Sequence, residues 1–190
     1  MRNRSIGAGL AGLAGVAMTV LGTSSLMADD GGRGRDKTRF SVSADLIGYQ
    51  EVPALSTTAR GRFVAWVDTR SNTINWRLKY DALEGNVTQA HVHFGQKGVN
   101  GGVSFFLCSN LGNGPAGTQA CPVAPGDISG VITPDLVVGP GPVTTPTPAP
   151  GQGIEPGAFA EIAAAIREGF GYANVHTSKW PGGEIRGQLH

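Results

Sequence analysis

The sequence predicts an all-β fold, an antiparallel Ig-like or Greek-key β-sandwich carrying one short amphipathic helix. Three observations lead there. Apolar and polar residues alternate over much of the first two thirds of the 190-residue chain, and 30 glycines and 12 prolines cut those runs into short pieces. One segment alone, at about 156–168, repeats its apolar residues at helical spacing. Alternation marks strands with one buried face, and many short strands separated by turns mark a sandwich or barrel.

The elements follow in chain order. In "RFSVSADLI" the residues Phe40, Val42, Ala44 and Leu46 share one face. The run "GRFVAWVDT" is apolar on both faces, which places Trp66 in the core, and the turn "RSN" joins it to "TINWRLKY". There Ile74, Trp76, Leu78 and Tyr80 alternate with Asn75, Arg77 and Lys79, so a hairpin is expected over 63–80. "NVTQAHVHFG", "GGVSFFLC", "DISGVI", "GYANVHT" and "GEIRGQL" supply up to five further strands. The proline- and glycine-rich stretch at about 134–155 has neither period and is expected to run as an extended surface loop. After it, "EPGAFAEIAAAIREG" puts Phe159, Ile162, Ala163 and Ile166 on one helical face, with Pro156 in the first turn and Gly169 at the C-terminal end. This helix is expected on the sheet edge.

Arg2 and Arg4, an uncharged apolar run over 6–21 and small residues after it have the pattern of a secretory signal peptide over 1–28. A single N-terminal anchor is the other reading of that run. Residues 29–39 are charged and glycine-rich, which suits a flexible leader, and 40–190 suit a single domain. Cleavage takes two of the fifteen basic residues and none of the fourteen acidic ones, leaving a net charge of about −1. No basic face for nucleic acid is expected, and no membrane span follows the signal. In a secreted or periplasmic chain, the two cysteines, Cys108 and Cys121, are expected to form a disulfide across a glycine-rich loop. Two free thiols, or thiolate metal ligands, are the alternatives.

The chemistry of the chain concentrates in its four histidines. His91 and His93 are two residues apart, a spacing that sets both rings on one face of a strand. Ala90, Val92 and Phe94 take the other face, which suits the core. "GYANVHT" repeats the arrangement with Tyr172, Asn174 and His176. If these strands pair, three imidazoles converge, and His190 at the chain end is a fourth candidate. Imidazole suits copper, with zinc as the alternative ion. Glu184, Arg186 and Asn174 are placed to orient the rings from behind. The competing reading is a polar sheet face in which the histidines bond Gln89, Asn174 and Thr177, with Glu184 and Arg186 an ordinary cross-strand pair. Glu51, beside Pro53, is expected to bond nearby backbone amides. Trp180 in "SKWPGG" is a candidate sugar-stacking surface. No hydrolase constellation such as G-x-S-x-G occurs.

Three ordered pieces, "LIGYQEVPALSTTARGRF", "AHVHFGQKGVNGGVSFFL" and "GYANVHTSKWPGGEIRGQL", together resemble the chordin-type domain called CHRD. The resemblance implies an exported module that binds an extracytoplasmic protein or matrix component without catalysis. A mononuclear copper protein, open to redox chemistry, is the alternative function, and carbohydrate binding around Trp180 a weaker one. The "HVHFG" strand also resembles the copper strand of copper/zinc superoxide dismutases. Their two-metal site needs six histidines and an aspartate, so four histidines cannot build it.

Overall fold

The computed structural model describes residues 38–140 and 151–190. The expected signal peptide, nearly all of the expected leader and residues 141–150 of the proline-rich stretch lie outside the described residues.

Among the described residues, eight strands pair in one antiparallel sheet. They are β1 (Arg39–Ile47), β2 (Arg60–Asp68), β3 (Thr73–Asp81), β4 (Val87–Phe94), β5 (Val103–Ser109), β6 (Gly126–Ile132), β7 (Gly171–Thr177) and β8 (Ile185–Gln188). Each falls on a run that the sequence marks as a strand. Their order across the sheet is β5-β4-β7-β8-β1-β2-β3-β6. Between β8 and β1 the ladder narrows to one pair, Ile47 opposite Arg186, prolonged by reciprocal backbone bonds between Ser43 and His190. That thin joint divides the sheet into two four-stranded halves over a common core, an architecture between sandwich and barrel.

The core follows from the two-residue period. Val42, Ala44 and Leu46 of β1 lie opposite Ala65, Phe63 and Gly61 of β2, and Trp76, Leu78 and Tyr80 of β3 continue the layer. Ala90, Val92, Phe105, Leu107, Ala173, Val175 and Ile185 meet them from the other half. Each large side chain so buried contributes about 1.5–3 kcal/mol, and a one-residue slip would turn the whole set outward. The same period corrects the expectation for Trp66. With Phe63, Ala65 and Val67 facing inward, Trp66 must face out, and it is 55% exposed between Ser41 and Asn75.

The outer edges of β5 and β6 do not pair with each other. Gln119 spans them instead, its Nε2 donating to the Leu107 carbonyl of β5 at 3.4 Å and the Ser129 carbonyl of β6 at 3.1 Å. Such cover protects strand edges from pairing with another chain. The expected disulfide joins Cys108 on β5 to Cys121 in the segment leading to β6, thirteen residues apart. Both cysteines are buried. Replacing both by alanine is expected to lower stability by about 3 kcal/mol, the chain-entropy value for so short a loop. Urea unfolding checks this, and a loss below about 1 kcal/mol would contradict a clamping role.

The single α-helix among the described residues, α1 (Phe159–Arg167), buries Phe159, Ile162, Ala163 and Ile166, the face the spacing predicts. It starts later than expected, because Gly157 at φ 82° breaks the backbone between Pro156 and the first turn. Gly169 at φ 79° follows its C-terminal end. The helix packs on β1 and β4, which are interior strands, and not on the sheet edge. The flanks of the proline-rich stretch also depart from a surface loop. Val137 and Ile154 enter the core, and the Val138 N–H donates to the Ser104 carbonyl of β5 at 2.9 Å. No helix among the described residues is long and apolar enough to cross a membrane.

Candidate metal centre

The outer face of the half-sheet β5-β4-β7-β8 is polar, yet it is covered. Register sets His91 opposite Asn174, His93 opposite Tyr172 and Gln89 opposite His176. Asn174 in turn lies opposite Arg186, and Tyr172 opposite Gln188. Cross-strand partners share a face, so the three histidines stand together on the side away from Ala90 and Val92. His91, His93 and His176 are nevertheless buried, because turns roof this face. The turn after β4 supplies Gly101, where a Cβ would overlap the Phe94 carbonyl, and the turn after β7 supplies Pro181.

The ring nitrogens are arranged as a ligand set. One nitrogen from each of His91, His93 and His176 lies within 4.8 Å of the others. Among the described residues no carboxylate or thiolate joins them. His93 Nδ1 is 3.0 Å from the Gly101 carbonyl and His176 Nδ1 is 2.9 Å from the Pro181 carbonyl. A carbonyl only accepts, so both Nδ1 atoms carry the proton and both Nε2 atoms keep their lone pair. Among the described residues, His176 Nε2 and both nitrogens of His91 find no hydrogen-bond partner, and all three are buried. His93 Nε2 faces the Asn174 carboxamide oxygen at 3.0 Å. With its lone pair retained, that nitrogen calls for the amide to turn its N–H inward, or for a cation between the rings.

Neighbouring rings fix the imidazoles. Phe106 meets His91 edge-on at 4.5 Å, and Tyr172 stacks on His93 at 4.6 Å with planes 3° apart. The Arg186 guanidinium lies 3.4 Å from the centroid of the same Tyr172 ring. It also donates to Asn100 Oδ1 and to the carbonyls of Val99 and Gln96, which ties the turn after β4 over the face. Arg186 thus reaches His93 through Tyr172, and Asn174 touches it directly.

Other candidates stand differently. Glu184 is fully buried, and its carboxylate accepts from Thr57 Oγ1, Thr177 Oγ1 and the Glu84 N–H at 3.1, 2.7 and 2.8 Å. It ties the segment before β2 and the turn before β4 to the end of β7, and it bonds no imidazole. His190 is exposed, its Nδ1 beside the Gln188 carbonyl, and it is not part of the three-histidine group. Glu51 has a buried Oε1 without a partner, facing Gly183, where the φ of 124° and the closeness of the carboxylate exclude a side chain. Trp180 is half-buried, with its indole N–H donating to Glu84 and Lys179 over its ring. The roles of Gly101, Pro181 and Phe106 were not legible beforehand. Carbonyls and an apolar ring on other elements carry no sequence signature.

Burial makes the imidazoles poor bases. Desolvation holds His91 well below its ordinary value, and neighbouring His176 and His93 add to this. Desolvation lowers His93 to about 4, against the opposing pull of Gly101, and lowers His176 as well. All three therefore present free lone pairs at neutral pH. Desolvation pushes Glu51 the other way, up to about 7, although Arg186 partly offsets it.

These shifts predict how the metal-free domain responds to acid. A histidine whose folded value is depressed stabilises fully above its ordinary 6.5 and loses that contribution as pH falls toward the folded value, about 4 for His93. Glu51 opposes this, since its contribution is lost as pH rises from 4.5 to about 7. Three imidazoles outweigh one carboxyl, so stability is expected to fall from about pH 6.5 to 4.5. Glu51→Gln should steepen the fall. Urea midpoints across that range check it, and a flat profile in both proteins would contradict the buried, neutral state of the cluster.

Comparison with known proteins adds the family. No curated protein and no solved structure matches the chain. The CHRD domain model matches residues 42–189, a span that runs from β1 through the histidine strands to Leu189. The chain therefore belongs to the CHRD domain family.

Proposed function

We propose that this domain is an exported, non-catalytic metal-binding module in which His91, His93 and His176 hold one copper ion, with zinc as the competing metal. The carrying observation is the trio of buried imidazoles whose ligand atoms lie within 4.8 Å of one another. Leaving His91 with two unpartnered buried nitrogens costs about 1–3 kcal/mol for each polar group, and a bound cation removes that cost for the nitrogen that carries the lone pair. A trigonal ion about 2.0 Å from each nitrogen sets them roughly 3.5 Å apart, a spacing that lies inside the 4.8 Å spread of the trio. The Nδ1 contacts to Gly101 and Pro181 supply the outer bonds that orient metal-binding histidines.

The disulfide is consistent with export and with the expected signal peptide. Family membership supports an extracytoplasmic protein or matrix partner for the module, whereas the local geometry supports the ion. Metal analysis and calorimetry of the exported, chelator-stripped protein test the reading. One copper or zinc ion per chain is expected, with heat absent in the double variant His91→Ala, His93→Ala. Equal binding by wild type and double variant would overturn it.

A further inference from the structure

We propose that the ion the site is built to hold is monovalent copper, a step that rests on the metal-binding reading and names the ion and its charge. The ligand set comes first. Three neutral imidazoles, with no carboxylate or thiolate joining them among the described residues, leave the full charge of the ion uncompensated. The cost of burying a charge rises with its square, so a divalent ion pays about four times the desolvation penalty of a monovalent one. A buried carboxylate is the usual remedy, and the carboxylates of this face are turned elsewhere. Glu184 is spent on Thr57, Thr177 and the Glu84 N–H. Glu51 faces Gly183.

Enclosure points the same way. The unpartnered nitrogens of His91 and His176 have almost no accessible surface, Phe106 closes against His91, and Tyr172 lies flat on His93. Zinc and divalent copper fill four or more positions, completing a three-histidine set with water or substrate. Monovalent copper is satisfied by three ligands. The closed trio fits the ion that needs no fourth.

A fixed positive charge is the third observation. The Arg186 guanidinium, buried and held by Asn100, Val99 and Gln96, stacks on the ring that stacks on His93. Glu51 offsets part of this charge, and what remains repels a divalent ion twice as strongly as a monovalent one at the same place.

The test is a set of competition titrations on the full-length exported protein, stripped of metal. Cuprous ion buffered by bicinchoninate without oxygen, cupric ion buffered by nitrilotriacetate, and zinc against a chromophoric chelator each yield a dissociation constant. Cuprous binding is expected to be at least about 100-fold tighter than either divalent ion and to be lost in His91→Ala. Asn174→Asp, which sets a carboxylate of the same size beside His93 Nε2, should move the ratio at least about tenfold toward cupric ion. Histidine-dependent binding of zinc or cupric ion at equal or greater affinity would overturn the cuprous assignment and leave the metal site standing. An unchanged ratio in a folded Asn174→Asp protein would overturn it too. Absence of binding by all three ions would overturn both, and cuprous binding that survives loss of all three histidines would place the ion elsewhere.

Discussion

His91→Ala is expected to weaken metal binding by roughly 100- to 1,000-fold. A structural zinc site is worth about 10–16 kcal/mol over four ligands, or about 2.5–4 per ligand, and each 1.4 kcal/mol is tenfold. Neither His91 nitrogen has a hydrogen-bond partner among the described residues, so the substitution breaks no hydrogen bond there. His176→Ala should cost as much, because its Nε2 is equally unengaged while Pro181 holds its other side. His93→Ala removes a ligand and also the contacts to Gly101, Asn174 and Tyr172, so lower stability should accompany its lower affinity. His190→Ala is expected to change neither. A titration series over these four variants separates three ligands from one bystander, and an affinity unchanged in His176→Ala would remove β7 from the site.

Glu184→Ala is expected to destabilise the domain by about 2–4 kcal/mol. Its carboxylate is the shared acceptor for donors from three segments, at Thr57, Glu84 and Thr177. Truncation leaves the Thr177 hydroxyl buried without its acceptor, and a group stranded in this way loses its solvation as well as its bond. Glu184→Gln should fall between wild type and alanine, because the amide still accepts at one end while its N–H2 meets a donor at the other. The loss reaches the metal as well. Thr177 and Glu184 bracket the turn that carries Pro181, so loosening that turn loosens His176. Urea unfolding measures the first effect, and a stability within about 0.5 kcal/mol of wild type would show that the bonds are replaced by water.

Much of this fold is written in local periodicity. Alternation in β1 and β3 identifies the inward residues because those strands have one wet face, and the i, i+3, i+4 spacing of Phe159, Ile162 and Ile166 identifies α1. Trp66 misleads because an apolar residue on the outer face of β2 resembles a second buried face when no partner strand is known. Val137 and Ile154 were illegible for a different reason. They stand beside a proline-rich run with no period, and their burial comes from where the flanks dock.

The candidate site was legible in part for the same reasons. The pairs His91 and His93, and Asn174 and His176, share faces by strand geometry alone. That β4 and β7 are neighbours is a matter of topology, and the roof that buries the rings comes from turns about 8 and 5 residues away in sequence, at Gly101 and Pro181. Glu184 looked like a partner for the imidazoles because it alternates with Ile185 next to Arg186. Its true partners lie up to 127 residues away, beyond the reach of any local pattern.

X-ray absorption at the metal edge of the copper-loaded protein tests the central claim most directly, because it counts ligands and identifies imidazole by its outer-shell scattering. Three nitrogens at about 2.0 Å, with scattering from three imidazole rings and none from sulfur, is the expected result. In His91→Ala, any residual metal should show one ring fewer. A spectrum dominated by oxygen, or one that is unchanged when His91, His93 and His176 are all replaced, would contradict the site.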